Sequence, residues 1–110
     1  MSREIVALLR ERPELAPLLH SLRGKGLAVA EHDNTTHLYD AAGRLLVHIA
    51  HPLRIDVPGE VERLLNTSVP LPVWWVGVRA AATLTEAGPL ARRCAETLVS
   101  RHGGTLWSNR

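Results

Sequence analysis

The stretch 73–107, VWWVGVRAAATLTEAGPLARRCAETLVSRHGGTLW, decides the fold. Its first part, Val73 to Ala82, is long, mostly apolar and rich in Val and Trp, which predicts a strand covered on both faces. An amphipathic helix follows, because Leu90, Cys94 and Leu98 fall four apart and Ala91, Ala95 and Val99 run beside them at the same spacing. Arg92, Arg93, Glu96, Thr97, Ser100 and Arg101 take the other side. The doublet Gly103-Gly104 supplies the conformations that end a helix, and Thr105-Leu106-Trp107 is expected to return through a right-handed crossover as a short strand parallel to and beside the first.

Working outward, the N-terminal side reads as helical. Ser2 is placed as an N-cap, with Glu4 near the positive end of the helix and Ile5, Leu8 and Leu9 at helical spacing. Pro13 interrupts, and a second helical stretch carries Leu15, Leu18, Leu19 and Leu22 on one face, with Pro17 tolerable in its first turn. Gly24 and Gly26 end it, so this region is one kinked helix or two short ones.

From Leu27 the period changes to two. Leu27 to His32, Thr35 to Asp40 and Leu45 to Ala50 are predicted strands. A tight turn at Asp33-Asn34 joins the first two, since both residues tolerate positive φ. With a four-residue second loop, Val29, Leu38 and Val47 lie opposite one another, flanked by Leu45 and Ile49, on a face that needs a helix against it. Ala28, Ala30, His37, Tyr39, Leu46 and His48 take the opposite face. Pro52 has no N–H for a ladder, so a bulge or an edge is expected before Leu53, Ile55 and Val57 resume the alternation. Val57-Pro58 opens a short helix with Val61, Leu64 and Leu65 inward, and Val69-Pro70-Leu71-Pro72 is a stiff connection into the Trp strand. The sum is one α+β domain over residues 1–110. It is a two-layer sandwich whose mostly antiparallel sheet of four to five strands has the N- and C-terminal helices packed on one face.

Composition narrows the function classes. The chain has 110 residues, 45% hydrophobic and 22% charged, which fits one globular domain rather than a disordered chain. No apolar run reaches the roughly 20 residues of a membrane span, and the N-terminal residues lack the apolar core of a secretory signal; a cytoplasmic protein is expected. The net charge is only +2, and arginine outnumbers lysine twelve to one, so charge points to no polyanionic partner.

Candidate chemistry is sparse. His37 opposite His48, with His32 further along the same face, is the one arrangement resembling a metal site, but no carboxylate or cysteine joins it at a ligand spacing, and no metal or other cofactor is expected. Gly24-Lys25-Gly26 lacks the spacing of a phosphate loop, and Cys94 has no neighbouring histidine on its helix face; the thiol reads as a small core hydrophobe. The chain is expected not to be an enzyme. Trp74 and Trp75 point to opposite faces of their strand, so burying both needs cover on both sides, from the N-terminal helix or from a second copy of the chain. Trp74, Trp75 and Arg79 are therefore the candidate partner-binding residues. Arg92, Arg93 and Arg101 on the last helix form the alternative, a nucleic-acid-binding strip interrupted by Glu86 and Glu96.

The WWV strand, the small-residue helix around Ala-Arg-Arg and the Arg101-His102-Gly103-Gly104 turn before Leu106-Trp107 together resemble short actinobacterial proteins of unknown function, some encoded near type VII secretion genes. The resemblance covers the last third of the chain and implies a small protein-binding or assembly role. The expected function is a non-catalytic interaction module that presents a sheet face or edge to a protein partner or, as a homodimer, to itself; the alternative is a small nucleic-acid-binding regulator.

Overall fold

A computed structural model describes residues 3–108. It contains an antiparallel sheet and helices packed against it: β1 (Arg3–Leu9), α1 (Ala16–Arg23), β2 (Ala28–His32), β3 (Thr35–Tyr39), β4 (Leu45–Ile49), β5 (Leu53–Ile55), α2 (Glu60–Leu65), β6 (Val73–Ala80), α3 (Ala87–His102) and β7 (Gly104–Ser108). The α+β sandwich expected from the sequence is present, but the sheet has seven strands rather than four or five. Their order is β2-β3-β4-β6-β1-β7, with β5 pairing to β6. As β1 occupies one edge of β6 at Trp74 and Trp75, β5 takes the other, in line with β4.

The largest departure from the sequence reading is at the start of the chain. Ser2 lies outside the described residues, and the segment expected as a helix is β1, in the middle of the sheet between β6 and β7. Ile5, Val6, Ala7, Leu8 and Leu9 are all at most 5% exposed. Such an unbroken apolar run matches helical spacing trivially, because every i+3 and i+4 position is apolar. A helix packed through Ile5, Leu8 and Leu9 would leave Val6 in water and forfeit about 1.5 to 3 kcal/mol, whereas a central strand covered on both faces buries the whole run. Only one helix, α1, therefore remains in this region, with Leu18, Leu19 and Leu22 buried and a proline in its first turn.

The same strand corrects the expected parallel pair. β7 does not lie beside β6; β1 stands between them, antiparallel to both. β6, α3 and β7 thus form a split β-α-β unit around β1, whereas α1 carries the chain from β1 to β2 at the far edge of the sheet, and β3 and β4 return it to the side of β6.

The centre of the chain follows its pattern closely. Asp33 and Asn34 have φ of 52° and 63°, as a two-residue hairpin turn requires. Val29, Leu38 and Val47 lie opposite one another, as do His37 and His48. A register shift at Leu38/Tyr39 then sets Tyr39 opposite Leu45. It exchanges two expected positions: Leu46 is buried in the core and Leu45 is 42% exposed. The irregularity expected at Pro52 is also present. Ile49 pairs with Val78 and Leu53 with Trp75, so three residues of one strand face two of the other, while the Ala50 N–H keeps a 2.8 Å bond to the Gly77 carbonyl.

Two hydrophobic layers result. On one face α1 and α3 cover Ile5, Ala7, Leu9, Leu38, Val47, Ile49, Val76, Val78 and Ala80. The expected helix stripe is buried there at Leu90, Ala91, Cys94, Ala95 and Leu98, and Val99 is half-buried. On the other face Val61 and Leu65 of α2 close over Val6, Leu8, Ile55 and Val73. Leu64, expected to point inward, is 50% exposed, and Val57 is 59% exposed. The helix has six residues, too short to turn more than a narrow stripe toward the sheet.

Candidate functional site

Because α2 is short, it covers only one end of its face. The other end, formed by β2, β3, β4 and the second half of β6, is open. Strand alternation places Ala28 and Ala30 of β2, Thr35, His37 and Tyr39 of β3, His48 of β4 and Arg79 of β6 on this surface. Two backbone registers align the rings: His37 is opposite His48, and His48 is opposite Arg79.

The rings are close enough to act together. The His37 and His48 centroids are 5.2 Å apart with planes at 50°, and the His37 and Tyr39 centroids are 6.4 Å apart. Partial burial lowers the pKa of His48, and the neighbouring His37 and the Arg79 guanidinium push it the same way. Arg79 reaches Glu4 of β1 at 3.5 Å. Gly77 leaves bare backbone between Arg79 and Trp75, where a side chain would meet Glu4 Oε2 at 3.7 Å and Trp75 Nε1 at 3.9 Å. The indole edge of Trp75, Glu4, Arg79 and the histidine pair therefore form one continuous strip.

The structure separates the candidate partner-binding residues. Trp75 packs half-buried against the α2 layer, so its cover comes from α2 rather than from an N-terminal helix or a second copy. Trp74 points to the α1/α3 layer, with the Arg12 guanidinium 5.9 Å from its ring centroid. Only Trp75 and Arg79 border the open surface. The third tryptophan, Trp107, closes the other side of the α2 layer, its Nε1–H donating to the Leu65 carbonyl at 3.1 Å.

His32 does not join the other two histidines. It stands at the hairpin end with its side chain 78% exposed and Nε2 3.3 Å from Asp33 Oδ2. Among the described residues no group of three or more His, Cys, Asp or Glu side chains is arranged to hold a metal ion.

The arginines of the alternative site are also divided. Arg92 faces Glu96 at 3.8 Å. Arg93 and Arg101 turn instead to a cleft between α1 and α3, where Lys25 joins them. Sequence reasoning missed Lys25 and Tyr39 as site residues. Tyr39 was legible as the neighbour of His37 on one face, but the approach of Lys25 depends on how two distant helices pack.

No protein-family model matches the chain, and no curated protein or solved structure matches it. None of the helices among the described residues is long and apolar enough to cross a membrane.

Proposed function

We propose that the protein is a non-catalytic interaction module that presents the open half of the α2 face to another protein chain, in the first instance a second copy of itself. One observation carries this reading: α2 stops short, leaving a contiguous strip of half-buried rings, His37, Tyr39, His48 and the Trp75 edge, with Arg79 between them. Aromatic and arginine side chains on a rigid sheet lose little conformational entropy on docking and are the usual anchors of interfaces. The strip holds a cation, titratable rings and a carboxylate already turned to Arg79, but no activated nucleophile, so it suits recognition rather than bond making. We place the protein in the cytoplasm as part of this proposal, a setting with which the buried Cys94 thiol is compatible.

Light scattering across a concentration series tests it, with Arg79→Glu and Trp75→Ala as variants. The expected result is a wild-type dimer whose melting temperature rises with concentration, and an Arg79→Glu variant that is monomeric, still folded by circular dichroism, with a lower melting temperature that no longer depends on concentration, since it loses both the dimer linkage and the Glu4 contact. A wild type that stays monomeric at high concentration, with Tyr39 and His37 resonances independent of concentration, refutes self-association.

A further inference from the structure

We propose that the cleft between α1 and α3 binds a single-chain amphipathic carboxylate, a fatty-acid-like anion whose tail lies on a leucine floor and whose head is held by Lys25, Arg93 and Arg101. The cleft encloses about 370 Å³, within the roughly 300 to 1,000 Å³ of small-molecule sites. It lies on the opposite side of the sheet from the strip of His37, His48 and Arg79, so the two sites are independent.

The floor is apolar. Leu18 and Leu22 of α1, Leu46 of β4, and Leu90 and Cys94 of α3 line it, each at most 8% exposed, and Leu27 adds a half-buried edge. Burial pushes the Cys94 thiol up to about 11, against the pull of Arg93 and Lys25, so the sulfur contributes no negative charge to the floor.

The rim sets the sign of the ligand. Arg93, Thr97 and Arg101 follow one another at four-residue spacing, so a single wall of α3 carries both guanidiniums into the cleft. Lys25 approaches from just beyond α1. Among the described residues none of these three cations forms an ion pair. Two acids also line the cleft, but Arg44 occupies both, with Nε 2.7 Å from Asp40 Oδ2 and an η-nitrogen 3.2 Å from Glu86 Oε1. The uncompensated charge is therefore positive. A neutral chain satisfies the floor alone, and a small inorganic anion satisfies the rim alone. A carboxylate at the end of an aliphatic chain satisfies both.

The test is a backbone amide NMR titration of the full chain with decanoate, decanol and decyltrimethylammonium. Decanoate is expected to shift amides of Ser21, Leu22, Lys25, Leu90, Arg93, Cys94 and Thr97. Decanol is expected to bind about tenfold more weakly and the cationic amphiphile not at all, as charge-assisted bonds to an exposed rim imply. The double variant Arg93→Ala/Arg101→Ala should lose about tenfold for decanoate and keep its affinity for decanol. Thr97→Trp, which fills the cleft from its half-exposed wall, should abolish both. Raising salt to about 0.5 M on the unaltered protein should weaken decanoate alone, a measurement that needs no variant to fold. Equal affinity for decanoate and decanol, shifts confined to residues outside the cleft, or no shifts at all would overturn the proposal.

Discussion

Replacing Gly104 by alanine tests the close approach of the edge strand β7 to β1. Gly104 opens β7 opposite Leu9 with φ at 132°, and a Cβ there would stand 1.9 Å from the Leu8 carbonyl oxygen and 3.0 Å from Leu9 Cα. Two penalties combine. The backbone conformation alone is worth on the order of 1 to 3 kcal/mol for a residue with a side chain. The contact lies more than about 1 Å inside any tolerable approach and is made to backbone, so it is relieved only by prising β7 from β1 at the end of the strand pair. Together these give about 3 to 5 kcal/mol, in the range of the severe single substitutions. Gly43 supplies the control: its φ is 82°, yet a Cβ there meets nothing within 4 Å. Gly43→Ala should therefore lose only about 1 to 2 kcal/mol. Urea unfolding followed by tryptophan fluorescence measures both, since Trp107 lies on β7 itself. If the two variants lose the same stability, the close approach of β7 to β1 is wrong.

Three further outcomes are expected. Trp107→Phe keeps an aromatic ring near α2 but removes the donor to the Leu65 carbonyl and the second ring of the indole; it should lose about 1 to 3 kcal/mol in urea unfolding. The folded-state pKa of His48 is depressed, so the unfolded chain binds more protons there. The stability this contributes is present above the ordinary histidine value and is lost as pH falls through the folded pKa; stability curves should slope downward below about pH 6.5, and His48→Gln should flatten the slope. Cys94, buried and with its pKa raised to about 11, should resist iodoacetamide at neutral pH in the native protein and react at once on unfolding.

Local chemistry was legible where it dictates structure by itself. The four-residue spacing of Leu90, Cys94 and Leu98 marks α3, the Asp33-Asn34 pair marks a hairpin, and from that turn the pairing of His37 with His48 follows by counting. Pro52 announces a break because it lacks a donor. Features that depend on distant partners were not legible. The run from Ile5 to Leu9 has no period of its own, and only cover on both faces makes it a strand. The exchange of Leu45 and Leu46 comes from one extra residue at a bulge, which alternation does not reveal. The candidate sites divide in the same way. The face shared by His37, Tyr39 and His48 is a property of neighbouring strands, whereas the meeting of Lys25 with Arg93 and Arg101 arises from packing two helices that lie far apart in the chain. The Trp74-Trp75 doublet correctly implied cover on both sides of the sheet, but nothing in its vicinity indicated that the short α2 supplies it.

The central place of β1 has a consequence for how the molecule is made. Synthesis delivers this strand before the rest of the sheet, yet both of its neighbours, β6 and β7, come later than every other strand. β6 begins only at Val73, so at about 5 to 20 residues per second β1 waits on the order of 3 to 13 seconds with its five apolar side chains unpartnered. The β2-β3-β4 meander can pair as it emerges, but the sheet cannot close around it until the final helix and strand are out. A nascent chain of this protein thus exposes β1 unpaired until β6 and β7 have emerged. A stall before β6 leaves an exposed, aggregation-prone strand rather than a smaller folded unit.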